Sequence, residues 1–134
     1  MTETATYALS VTVERPFART VADVRAALAD QGFGVLTEID IAATLKAKLD
    51  VEVPSQVILG ACRPPLAHQA LQAEPSVGLL LPCNVVVRST GPAETVVEAV
   101  DPQTMVALTD NPGLQDVADD ARTRLDAALA SLTA

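Results

Sequence analysis

The stretch Val77-Gly78-Leu79-Leu80-Leu81-Pro82-Cys83-Asn84-Val85-Val86-Val87 is apolar at successive positions, not at every second one. That pattern predicts a strand covered on both faces, hence the centre of a sheet. Pro82 inside it cannot donate to a ladder, so a bulge or kink is expected there. Thr90-Gly91-Pro92 then reads as a turn, and Glu94 to Val100 as the returning strand of a hairpin. Upstream, Gln56 to Cys62 reads as a strand stopped by Arg63-Pro64-Pro65, with a helix over 65–73 closed by Glu74-Pro75.

Further out the punctuation is local. Tyr7, Leu9, Val11 and Val13 alternate with Ala8, Ser10 and Thr12, the period of a strand with one wet face. A helix follows Pro16, with Thr20 as its expected cap, Val21, Val24 and Leu28 on one side, and Gly32 as a left-handed stop. Phe33 to Ile39 reads as a strand, and Asp40 as the cap of a short helix through Ile41, Leu45 and Leu49. Asp101-Pro102 opens a turn or short helix to Leu108. Asn111-Pro112 opens a long C-terminal helix on which Leu114, Val117, Ala121, Leu125, Ala128, Leu129 and Leu132 keep helical spacing. No repeat or linker interrupts the chain, so residues 1–134 are expected to form one domain with its core over about 7–130.

The 134 residues are 49% hydrophobic, and 9 Lys+Arg face 17 Asp+Glu for a net charge of −8. No basic patch exists for nucleic acid or for an anionic membrane. With only Tyr7, Phe17 and Phe33 as aromatics, base-stacking platforms are also excluded. Met1 to Thr6 carries no basic or apolar run, and Val77 to Leu81 is far short of the ~20 residues of a membrane helix. A cytoplasmic protein is therefore expected, with Cys62 and Cys83 as free thiols. A mean hydropathy of +0.30 is high for so charged a chain and points to apolar surface buried in a homodimer.

Three stretches stand apart: Gly32-Phe-Gly-Val-Leu-Thr-Glu-Ile-Asp40, Ile58-Leu-Gly-Ala-Cys-Arg-Pro-Pro-Leu66 and Gly78-Leu-Leu-Leu-Pro-Cys-Asn-Val-Val86. Together they resemble the small bacterial and archaeal proteins of the family called domain of unknown function 302, over roughly residues 7 to 130. The resemblance implies an α+β fold, a two-layer sandwich with helices on one face of a mostly antiparallel sheet, often dimeric. The alternation of elements by itself reads instead as a parallel α/β sheet. Glu38 and Asp40 match the family's first motif, Cys62 its second, and Cys83 with Asn84 its third. Arg63 stands where the family usually has Asn, and His68 where it often has Tyr or another bulky residue.

The candidate site residues are therefore Glu38, Asp40, Cys62, Cys83 and Asn84. Cys62, beside Arg63, is the first candidate for a thiol nucleophile, and both cysteines also read as small buried hydrophobes. Glu38 and Asp40 could share a proton or a hard cation, or Glu38 could simply be solvated or salt-bridged and Asp40 cap the next helix. His68 is the only histidine; with Cys62, Cys83 and a carboxylate it would complete a zinc set, although nothing in the spacing makes the four converge. Gly60 and Gly78 are expected where backbone or neighbours approach closely. No cofactor is specified. The leading expectation is a homodimeric module binding a small molecule or a metal near these strand-end motifs. The alternatives are a thiol redox or sulfur-transfer enzyme using Cys62, and an interaction subunit without a small-molecule site.

Overall fold

The computed structural model describes residues 5–133. Five strands form one sheet: β1 (Ala8–Val13), β2 (Gly34–Asp40), β3 (Gln56–Cys62), β4 (Cys83–Gly91) and β5 (Glu94–Val100). Their spatial order is β1-β5-β4-β3-β2, and every neighbouring pair is antiparallel. The resemblance gave this arrangement; the parallel sheet suggested by alternating elements is overturned. The reason lies in the connections. Helix α1 (Phe17–Asp30) carries the chain from one edge strand to the other. Its 14 residues are about 21 Å long, against roughly 19 Å for the four strand spacings it must cross.

Alternation puts Leu9, Val13, Val57, Leu59, Ala61, Val85, Val87, Val97 and Ala99 on one sheet face, all buried. Against them pack Val24, Ala27 and Leu28 of α1 and Leu125, Ala128 and Leu129 of the C-terminal helix α5 (Gln115–Ser131), at the three- and four-residue spacing of a helical face. The other sheet face carries Ile39, Ile58, Val86, Val96 and Val100, with an ion pair from Arg88 Nε to Glu98 Oε1 at 2.9 Å. Helix α2 (Ile41–Leu49) buries no residue completely and leans on β3.

A second, smaller core lies beside the sheet. It joins Leu66 and Ala70 of α3 (Pro64–Ala73), Val77, Met105 of α4 (Gln103–Thr109), Leu114, and Val117 and Ala121 at the start of α5. This core explains the main departure from the strand expected over Val77–Val87. Pro75–Leu80 is a 3₁₀ helix, the Leu81–Pro82 peptide is cis, and the strand begins only at Cys83. Val77 is fully buried in the second core, while Leu79, expected inside a sheet, is 89% exposed. A short apolar run cannot by itself distinguish a central strand from a helical turn. The chain likewise enters α1 at Pro16, not Thr20. Thr20 is buried one turn in, its hydroxyl donating to the Pro16 carbonyl at 2.9 Å.

Gly32 has φ +82°, the expected left-handed stop, and Asp40 caps α2. Asn111 opens the final helical stretch, accepting from the Gly113 N–H at 2.8 Å ahead of the turn Pro112–Leu114. Among the described residues no helix is long and apolar enough to cross a membrane.

Candidate functional site

Strand β3 ends where β4 begins, because the two pair in antiparallel register with Ala61 opposite Cys83. Cys62 is the next residue along β3. By alternation Cys83 shares the core face with Ala61 while Cys62 falls on the opposite face, and both residues border one cleft at the seam between the sheet core and the second core. Its remaining walls include Phe33, Leu66, Met105, Val117 and the ring of Pro82. The free volume is about 20 Å³, room for about one water molecule.

The same seam needs Gly60. A Cβ there would lie 2.3 Å from Thr37 Oγ1 and 2.9 Å from Pro82 Cγ, so β2 and the proline ring close over that position. The close approach expected at Gly60 is present. Gly78 has open space around it.

Both cysteines are free, and each residue is half-buried. Burial, and secondarily the charge of the neighbouring Cys62, pushes the Cys83 thiol up to about 11 from 9.0. Cys83 thus holds its proton at neutral pH. Arg63 also lines the cleft; its side chain lies across Gly32, where Nε would stand 3.0 Å from a Cβ. That Nε is buried without a hydrogen-bond partner, and Arg63 enters no ion pair among the described residues.

The other candidates lie elsewhere. Glu38 is on the edge strand β2, accepting from Arg25 Nη2 at 2.7 Å with both side chains substantially exposed. Asp40 accepts from the Ala43 N–H at 2.8 Å, which is a helix cap. Asn84 is exposed and paired with Gly60 on the sheet face away from α1 and α5. His68 is exposed on α3, whose Leu66, Ala67 and Ala70 line the cleft. Among the described residues no three His, Cys, Asp or Glu side chains converge as a metal set, so the imagined group of Cys62, His68, Cys83 and a carboxylate is not assembled.

Met105 and Phe33 are wall residues that sequence reading did not single out. Phe33 follows a recognisable glycine stop, but a lone methionine on a seven-residue helix carries no local signal of a role.

The family model for domain of unknown function DUF302 matches residues 9–132. A crystal structure of an uncharacterized conserved DUF302 protein from Bacillus stearothermophilus is similar at 29% identity and a TM-score of 0.86, covering 94% of this chain and 98% of that one. No curated protein matches the chain.

Proposed function

We propose that this chain, which belongs to the DUF302 family, is a homodimeric cytoplasmic binding module whose site is the Cys62–Cys83 cleft. The observation that carries this reading is that two cysteines from neighbouring strand ends border one apolar cleft beside an arginine whose buried Nε has no hydrogen-bond partner among the described residues. Buried polar groups normally find partners, and Arg63 Nε has none among the described residues, so an occupant with a hydrogen-bond acceptor would satisfy it. Free cysteines accord with a reducing compartment. Support for the dimer comes from the sheet face bearing Ile39, Ile58, Val86 and Val100, which α1 and α5 leave uncovered.

Native mass spectrometry of protein purified under reducing, oxygen-free conditions tests both parts. The expected spectrum is a dimer carrying an added mass that Cys83→Ser and Cys62→Ser each lose while keeping the wild-type melting profile. A monomer refutes the dimer. An unloaded dimer, or a bound mass indifferent to both cysteines, refutes the site and favours an interaction subunit.

One observation favours the second reading, thiol chemistry at Cys62: this half-buried cysteine directly precedes the cationic Arg63. It requires Cys62 to alkylate faster in the folded protein than in the unfolded chain at neutral pH. Slower reaction when folded removes it.

A further inference from the structure

The two edges of the sheet are built differently. At one edge, β2 carries a bulge between Val35 and Thr37, the charge of Glu38 and, at its end, the turn into α2. Such features keep an edge strand from pairing with another chain. At the other edge, β1 runs from Ala8 to Val13 in unbroken register with β5, and it contains no charge, no proline and no bulge.

Hydrogen bonds fix which backbone groups of β1 are open. The Asp101 N–H donates to the Tyr7 carbonyl at 2.8 Å, so these two residues form a bonded pair, and antiparallel pairs alternate between bonded and non-bonded. Leu9, Val11 and Val13 therefore turn their N–H and C=O groups to β5, whereas Ala8, Ser10 and Thr12 turn theirs outward. The Ala8 N–H agrees, since it donates to the Ala5 carbonyl at 3.0 Å and not to β5. The edge thus presents the N–H groups of Ser10 and Thr12 and the carbonyls of Ala8, Ser10 and Thr12. Beside it lies a groove of about 320 Å³ between β1 and α5, lined by Leu9, Ser10, Val11, Asp126, Leu129 and Ala130. Its one charge, Asp126, already stands 3.7 Å from Arg122 Nε. The edge therefore asks for an extended, uncharged strand with apolar residues at alternate positions.

Strand β1 is itself such a strand. Laid antiparallel to a second copy with Ser10 opposite Ser10, it satisfies every open donor within the bounds of β1. Each Ser10 N–H meets the other Ser10 carbonyl, and each Thr12 N–H meets the opposing Ala8 carbonyl. Leu9 then stands beside Val11 of the other copy on the core face, while the small Ala8, Ser10 and Thr12 share the opposite face. A twofold axis at Ser10 makes each of these contacts twice. We propose that β1 is a self-association edge, through which two chains join their sheets into one continuous antiparallel sheet. This goes beyond the dimer reading above, which rests on the open sheet face, a separate surface.

The test is native mass spectrometry and sedimentation velocity of the reduced full-length protein and its Thr12→Pro variant. Proline there removes only an outward N–H, which an edge strand tolerates. The variant should keep the wild-type melting profile while the mass of the assembly falls by half. Val11→Pro, which removes an inward N–H, should by contrast melt far earlier; if it is the milder change, the assignment of open groups and the proposal both fall. Ser10→Lys and Ser10→Glu leave the backbone intact and set like charges opposite each other. Each alone should lose association, and mixing the two should restore a dimer of mixed mass. A wild-type dimer that Thr12→Pro, Ser10→Lys and Ser10→Glu all leave unchanged overturns the proposal and keeps the sheet face as the interface. A dimer that these variants dissociate supports the edge in place of the face, and a tetramer that they halve supports both surfaces. A wild-type monomer overturns both. A foreign polypeptide held by the wild type and shed by Thr12→Pro overturns the second copy as the occupant.

Discussion

The Cys83 thiol links the cleft to the stability of the whole fold, and the linkage has a definite sign. Its folded value is about 11 against 9.0 for an ordinary thiol, chiefly because burial disfavours the thiolate. Below about pH 9 both folded and unfolded chains keep this proton, and the group contributes no pH dependence. Between about 9 and 11 the unfolded chain loses the proton while the folded chain retains it. Stability then falls as pH rises, by about 1.4 kcal/mol per pH unit and at most about 2.7 kcal/mol in total, before levelling off. The assay is guanidinium unfolding of reduced, metal-free protein from about pH 8 to about pH 11, comparing wild type with Cys83→Ala. Other groups titrate in both proteins, and the methyl-for-thiol exchange adds a constant offset, so only the pH dependence of the difference is read. Wild type should lose its standing relative to the variant by roughly 2–3 kcal/mol across that window. Alkylation supplies a second reading, since a two-unit rise predicts Cys83 reacting about 100-fold more slowly folded than unfolded near pH 8. A difference that stays flat, or equal alkylation rates in the two states, would refute the argument from burial.

Two structural substitutions test the surroundings of the site. Gly60→Ala places a Cβ 2.3 Å from Thr37 Oγ1 and 2.9 Å from the Pro82 ring; denaturant unfolding should register a loss of about 1–3 kcal/mol. Adding Thr37→Ala should recover part of that loss, and a neutral Gly60→Ala would contradict the packing described. Asp40→Ala removes the acceptor for the Ala43 N–H and should lower stability by about 1 kcal/mol, with Asp40→Asn nearly harmless. If Asp40→Asn were as damaging as alanine, charge and not capping would be the role of that carboxylate.

What was legible in the sequence was what a residue does to its immediate neighbours. Gly32 at φ +82°, the Asp40 cap and Asn111-Pro112 each act within one turn of chain, and each is where its type predicts. Strand pairing is different in kind. Whether β1 and β2 are neighbours depends on how far α1 travels across the sheet, and no residue in α1 announces that distance. The start of β4 was misplaced for a related reason: Val77 is apolar because it serves the second core. In the site, Cys62 and Cys83 could be chosen by chemical type, but that both border the end of one strand pair follows from the Ala61–Cys83 register. Glu38 and Asp40 shared a motif with chemical promise, and the fold gives one an exposed arginine and the other a backbone amide.

The position of the cleft has its own physical logic. Each core closes over its own apolar residues, and the ends of β3 and β4 fall where the two surfaces meet. Side chains at such a seam are held by packing from two directions, which fixes them without a dedicated loop. Met105 illustrates the ambiguity this creates. It is 5% exposed and packs with Val77, Leu114 and Val117, so deleting its bulk would damage the fold whatever its thioether does. Leucine preserves that bulk and removes only the sulfur. A loss of the bound mass with an unchanged melting curve would therefore belong to the sulfur, whereas equal losses in both would belong to packing. The chemistry of this seam is decided by that comparison, because Cys62 and Cys83 are too small and too polarisable for their burial alone to say whether they pack or bind.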